Sequence, residues 1–222
     1  EKMMKTITVK GIGSISAKPD YITISLSIDA KDKEYEKAML QASERIESLK
    51  TAVKTFGLAE SDLKTTSFNV STDYDNVKDR QGNYQRVFAG YVCAYRLQVS
   101  FDFDAKLLAK ALSSVASSGA QPELSISFTV KEPAKVTEEL LANAATNAKE
   151  KAEILCRASG AELGTLVSID YNWGEINIVS QTRYDMEDCI QPLMAMGKSC
   201  APEIELDDID LSDTATFVWE IK

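Results

Sequence analysis

Six carboxylates fall within eleven residues, at Glu203, Glu205, Asp207, Asp208, Asp210 and Asp213. On an extended strand Glu203, Glu205 and Asp207 share one face and could offer oxygens to a hard cation such as calcium. The segment has neither EF-hand spacing nor a turn-forming glycine, and like charges along a strand also deter sheet-to-sheet aggregation, so the spacing favours that second role. Just upstream, Cys189 and Cys200 form a candidate redox pair that could close a short loop in an oxidising compartment. The other two cysteines, Cys93 and Cys156, lie among apolar residues and read as small core side chains. No C-x-x-C pair is present, and the cysteines have no histidine companions, so a zinc site is poorly supported.

The chain contains no histidine. That removes Ser-His-Asp and Cys-His nucleophiles, histidine-ligated zinc and imidazole proton shuttles. Hydrolysis by paired carboxylates would need two acids facing each other with divergent pKa values. Asp20, Asp29, Asp102 and Asp104 stand at strand ends, where turns and helix caps account for them. Gly11-x-Gly13 resembles the start of a phosphate loop, but Ser16 occupies the third glycine position and a strand follows. The expectation is a non-enzymatic protein with no catalytic residues, cofactor or metal ligands.

These groups must be positioned by alternating strands and amphipathic helices. Ile7 and Val9 open a first strand that Gly11 and Gly13 relax; Ile22, Ile24, Leu26 and Ile28 alternate through a second, and the two are expected to pair as a hairpin. With Asp32 as N-cap, Tyr35, Met39, Ala42, Ile46, Leu49, Val53 and Phe56 form a helical stripe ended by Gly57. Phe68, Val70, Thr72 and Tyr74 make a third strand, and a polar connection leads to a long fourth with Tyr91, Cys93, Tyr95, Leu97, Val99, Phe101 and Phe103 on one side. Those tyrosines could line a ligand cleft, although alternating aromatics are usually strand core. Asp104 caps a second helix, Leu124, Ile126, Phe128 and Val130 form a fifth strand, and a third helix runs from Pro133 to Gly160. Its face carries Val136, Leu140, Ala144, Ala148, Ala152 and Leu155, and strands at Leu166–Tyr171 and Thr214–Ile221 follow, the last with Trp219 in the core.

The order ββαββαβαββ reads as α+β, a mixed and mostly antiparallel sheet or sheets with three helices packed on one side. Residues 1–222 are expected to form a single unit, or two lobes of about 1–75 and 86–222 sharing long strands, with 172–213 as a long irregular insertion. Several separated pieces agree in order with one known family: Val9-x-Gly11-x-Gly13, Pro19-Asp20, Gly90-Tyr91, Gly119-Ala120, and the alanine-faced helix ending in Gly160 and Leu163-Gly164. Over residues 5–171 and the last strand the chain resembles the SIMPL family, which includes the periplasmic immunogenic proteins. That resemblance implies higher oligomers and a stress or envelope role. It supplies no catalytic residue.

Charge and composition bound the partners. The balance of 34 acidic against 25 basic residues gives −9 without a dense basic block, which argues against nucleic acid. Lys78, Arg80 and Arg86 are interleaved with Asp75 and Asp79 and read as a solvated hairpin tip. No apolar run approaches the ~18 residues of a membrane-spanning helix, so no integral membrane segment is expected. With no visible leader the expectation is a cytoplasmic protein, the alternative being an exported or envelope protein whose leader has been removed.

The insertion carries an adaptable apolar set, Trp173, Met186, Ile190, Leu193, Met194 and Met196, which is the candidate interface. The connection from Tyr74 to Tyr91 is the second candidate contact region. The function these features favour is homo-oligomeric assembly or binding of a protein partner. The alternatives are a small-molecule or divalent-cation binding protein, or a redox-responsive protein acting through Cys189 and Cys200.

Overall fold

The structure is a computed structural model and describes residues 5–79, 82–172, 174, 176–182, 184–185 and 205–222. Along the chain come β1 (Thr6–Ala17), β2 (Tyr21–Asp32), α1 (Tyr35–Phe56), β3 (Lys64–Lys78), β4 (Tyr84–Asp102), α2 (Ala105–Ser117), β5 (Glu123–Thr129), α3 (Pro133–Ser159), β6 (Leu163–Asp170), the two-residue β7 (Tyr184–Asp185) and β8 (Ile209–Ile221). The class is α+β, and each register that follows is antiparallel. The strands form a three-stranded sheet ordered β1-β8-β6 and a five-stranded sheet ordered β3-β4-β2-β5-β7. Two compact units result, each from discontinuous stretches: residues 1–20, 129–181 and 206–222 in one, and 21–128 with 182–205 in the other.

The expected hairpin of the first two strands does not form. β1 pairs along its whole length with β8, from Thr6 opposite Glu220 to Ala17 opposite Ile209, whereas β2 pairs with β4. Adjacency in sequence suggested the hairpin, but burial dictates the partners. Ile22, Ile24 and Leu26 face Phe101, Val99 and Leu97 across β2–β4, and all six are buried. Each such side chain contributes ~1.5–3 kcal/mol through removal from water.

In the first unit, α3 lies on β1 with its backbone almost touching the strand. A methyl group placed on Gly11 would stand 2.1 Å from the carbonyl oxygen of Ala144, and one on Gly13 would stand 2.1 Å from that of Leu140. The glycines therefore do not loosen the strand; they admit the helix. On the helix the facing residues are Leu140, Ala144, Ala148, Ala152 and Cys156, all buried, at uniform four-residue steps. Such a row winds slowly round the helix, and it brings Cys156 inward while Leu155, expected on this face, is 53% exposed. Val9, Ala215, Phe217 and Trp219 complete the cluster, the last two rings stacked at 5.5 Å.

The neighbouring polar row of α3 closes the outer edge of β1. Asn147 Oδ1 accepts the Ile12 N–H at 3.0 Å, Asn143 Nδ2 donates to the Ser14 carbonyl at 3.3 Å, and Lys151 Nζ donates to the Lys10 carbonyl at 3.4 Å. Four-residue spacing on the helix thus matches two-residue spacing on the strand. Part of the presumed insertion also belongs to this unit's core. Ile178 and Ile209 are buried with Val130, Thr129 Oγ1 donates to the Ile178 carbonyl, and β8 begins at Ile209, five residues before the expected Thr214.

In the second unit, α1 lies on β2 and β4 and α2 packs beside α1. Its buried residues are Ala38, Ala42, Leu49, Ala52, Val53 and Phe56, so the seam is richer in alanine than the expected stripe, and Tyr35 stays exposed. Asp32 is not the N-cap: β2 runs through it, Glu34 holds the cap position, and Asp32 Oδ1 accepts the Glu34 N–H at 3.0 Å. Asp104 caps α2 as expected, accepting from the Lys106 and Leu107 amides, and Gly57 and Gly160 end α1 and α3 in the left-handed conformation. Arg45 on α1, which sequence patterning passes over, donates to the carbonyls of Asp29, Ala120 and Gln121 at 2.7–2.9 Å and ties three segments together.

Two measurements test the α3–β1 contact. Gly11→Ala and Gly13→Ala should each lower stability in urea unfolding by about 3 kcal/mol, the upper range for overpacking, because the obstacle is backbone rather than a movable side chain. Ile12→Ala, on the uncovered face, should cost no more than about 1 kcal/mol. Asn147→Ala should cost about 1 kcal/mol by freeing the Ile12 amide, while Asn147→Asp, which keeps the acceptor, should cost less.

Candidate functional site

The most exposed concentration of large apolar side chains among the described residues lies on the β3–β4 hairpin. Phe68, Tyr74, Tyr84 and Phe88 are 47%, 42%, 69% and 43% exposed. The polar run read as a connection is mostly strand: Asp75 to Lys78 pair with Val87 to Tyr84, and the turn closes with Asp79 N–H on the Asn83 carbonyl at 2.9 Å. Lys78 and Arg86 sit at its end, with Arg80 outside the described residues.

Two features turn the hairpin into an arm. β2 ends at Asp32 opposite Tyr91, so among the described residues the hairpin beyond that point is two-stranded. There the ladder slips: Asp73 faces Gly90 while Tyr74 faces Phe88, leaving Ala89 as the extra residue of a bulge. Gly90 has φ +148°, and a methyl group on it would stand 2.6 Å from the Asp32 carbonyl oxygen. Only glycine fits where β4 passes the end of β2.

Register assigns the aromatics to one side. Phe68, Val70, Thr72 and Tyr74 stand opposite Tyr95, Cys93, Tyr91 and Phe88, and Cys93 packs on Ala38 and Ala42 of α1. This is the helix-covered side continued past the first turn of α1. Tyr35 meets Tyr91 edge-on at 5.9 Å, Tyr91 meets Phe88 at 5.3 Å, Phe88 meets Tyr74 at 6.0 Å, and the Arg86 guanidinium lies 4.8 Å over Tyr74. Phe68 packs on Tyr95 at 4.5 Å, and the Lys78 ammonium lies 5.0 Å over Tyr84. Edge-on rings and ring-borne cations hold this stripe in order without a covering element among the described residues.

The other side of the arm's base is charged. Lys31 and Asp73 form an ion pair at 2.6 Å, and the hydrogen bond from Lys31, then that from the Tyr74 N–H, hold the Asp73 carboxyl below its usual range. Elsewhere the perturbed groups have structural causes: burial raises the Cys93 thiol, and the hydrogen bond to Asp213 raises the Tyr171 phenol.

The sequence-derived candidates fall as follows. Trp173, Met186, Ile190, Leu193, Met194, Met196, Cys189, Cys200 and Glu203 lie outside the described residues. Of the strand-end acids, Asp20 accepts the Lys131 N–H at 2.7 Å, Asp29 pairs with Arg96 at 2.7 Å, Asp104 caps α2, and Asp102 ends β4. Asp207, Asp208 and Asp210 border a depression of about 590 Å³ with Ser16, Asn177 and Gln181. Ser16 Oγ donates to Asp210 at 2.7 Å and Tyr171 donates to Asp213 at 2.6 Å, and no group of three or more possible ligands converges among the described residues. Structure brings together instead Tyr35, Phe68, Tyr74, Phe88 and Tyr91, whose signal in the sequence was aromatic residues continuing across a polar run.

Comparison with known proteins places these features. The sequence model of SIMPL, described as protein of unknown function (DUF541), matches residues 7–219. Two curated relatives, each a 26 kDa periplasmic immunogenic protein, come from Brucella melitensis biotype 1 and Brucella abortus strain S19. They are 28% and 27% identical over 163 residues, covering 73% of this chain. The match spans 65% of those relatives' own length. Among solved structures, the regulatory subunit of aspartate kinase from Thermus flavus is 10% identical over 96% of this chain and 89% of its own, but its TM-score of 0.17 carries no argument. The relatives are periplasmic, which overturns the cytoplasmic expectation and fits the exported alternative. Secretory leaders are removed from mature chains, so an address of this kind need not be visible in the folded protein. No helix among the described residues is long and apolar enough to cross a membrane.

Proposed function

The chain belongs to the SIMPL family, and on that premise we propose that it is an exported, non-enzymatic protein of the cell envelope that works by assembling with copies of itself. The observation that carries this reading is the aromatic stripe Tyr35–Tyr91–Phe88–Tyr74, held in order yet largely uncovered on the β3–β4 arm. Apolar patches of this kind on a folded chain mark surfaces that meet another molecule. Aromatic residues with an adjacent arginine are also the types that dominate binding energy at protein interfaces. Export is supported by the periplasmic relatives. The non-enzymatic part rests on the absence of histidine and on the structural engagement of Asp20, Asp29 and Asp104.

Light scattering coupled to size exclusion tests the reading. The chain should run at twice its own mass or more at micromolar concentration, and weakly apolar variants should not. Tyr74→Ser with Phe88→Ser should reduce the assembly at least about tenfold in affinity, as loss of two central aromatic anchors does, with the helical bands of the far-ultraviolet circular dichroism spectrum unchanged. A strict monomer at high micromolar concentration would exclude self-assembly.

A further inference from the structure

The strand edges of this protein are treated unequally. β1, at one edge of the three-stranded sheet, has its outward backbone groups at Lys10, Ile12 and Ser14 engaged by Lys151, Asn147 and Asn143. β6, at the other edge, is eight residues long and twice irregular in register, between Leu163 and Leu166 and between Leu166 and Ser168. In the five-stranded sheet, β7 at one end is two residues long. Covering, shortening and bulging are the ordinary ways in which proteins stop edges from pairing.

β3 is less guarded: its two register shifts, between Thr65 and Ser67 and between Asp73 and Tyr74, leave Ser67–Asp73 regular between them. It is fifteen residues long and ends the five-stranded sheet, and among the described residues no strand pairs with its outer side. From Ser67 to Asp73 its register with β4 is unbroken, and its lysines stand only at the ends, Lys64 and Lys78. An edge of this length and regularity presents alternating N–H and C=O groups that an extended strand satisfies.

We propose that the outer edge of β3 pairs antiparallel with the same edge of a second copy about a twofold axis, so that two five-stranded sheets run on as one. This deepens the self-assembly reading and rests on it. A twofold axis normal to the sheet reverses strand direction and keeps faces, so both aromatic stripes emerge on the same side. The strand is self-complementary in that arrangement. A crossing centred on Ser71 sets Phe68 of each copy opposite the partner's Tyr74, and Val70 opposite the partner's Thr72, the aromatic and β-branched pairs that stabilise antiparallel sheets. Lys64 and Lys78 meet only at the solvated ends, where water and salt screen them.

Charge exchange at the middle of the strand tests the proposal. Ser71 is exposed, lies on the side away from α1 and meets its own copy at the axis, so Ser71→Lys or Ser71→Glu sets like charges opposite each other and leaves the core untouched. Each variant alone should run as a smaller species by light scattering, with about tenfold weaker association, and a one-to-one mixture of the two, which sets lysine opposite glutamate at the axis, should recover the wild-type mass. If the wild-type chain is itself monomeric, the self-assembly reading fails and the edge contact with it. If the wild type assembles and the lysine variant assembles equally, the edge contact alone is overturned. Dissociation without recovery on mixing also overturns it, because the edge then meets some other surface. Hydrogen exchange on the unaltered chain provides an independent readout: in an assembled sample, edge-facing amides within Ser67–Asp73 should gain protection as concentration rises. Concentration-independent exchange there rejects the contact.

Discussion

The first unit depends on one close approach, the backbone of α3 against the backbone of β1. Two glycines on the strand and alanines on the helix remove the side chains that ordinarily hold a helix away from a sheet. Ala144 and Leu140 then present their carbonyl oxygens where β-carbons of the strand would be. Once the helix sits this low, the polar row one step round its surface reaches past the strand. Asn143, Asn147 and Lys151 meet edge groups that a higher helix could not contact. Close packing and edge closure are one arrangement, because a single change in helix height would undo both.

Pairing geography explains what patterning could and could not see. Alternation at Ile22, Ile24, Leu26 and Ile28 marks a half-buried strand whatever its partner, and glycine caps at Gly57 and Gly160 act through the φ of one residue. These were legible. The partner of β1 was not, because the choice between β2 and β8 is settled by which faces become buried after the whole chain has collapsed. Leu155 reads as part of the buried face for a related reason: three-and-four spacing is ambiguous by one position until the crossing of helix and strands is known, and the burial expected of Cys156 is what the four-residue row delivers.

The candidate site was harder still to read. In the arm both faces of a two-stranded ribbon meet water, so polar residues at Asp75, Asn76 and Gln85 are compatible with strand and the alternation fades. The same residues looked like a loop. Tyr91 and Tyr95 were legible as strand residues, and their helix-side orientation follows from parity with Cys93. Whether they continued into a covered core or an open stripe depended on where α1 begins. A shift of its start from Asp32 to Tyr35 and the end of β2 at Asp32 together leave Phe88 and Tyr74 without a cover among the described residues.

A two-stranded ribbon is marginal by itself, and this one is held by what it exposes. Edge-on ring pairs contribute about 0.5–1.5 kcal/mol each beyond burial, and the arm has a chain of them from Tyr35 through Tyr91 and Phe88 to Tyr74. The Arg86 guanidinium on Tyr74 and the Lys31–Asp73 pair add anchors at either side of the bulge. The groups that give the arm its order are therefore the groups available for contact. A partner surface laid on them would shield the rings from water without having to reorganise them, and ordering costs already met within one chain are not charged again on association. Rigidity and exposure usually oppose one another in apolar side chains; an aromatic ladder on a short ribbon reconciles them.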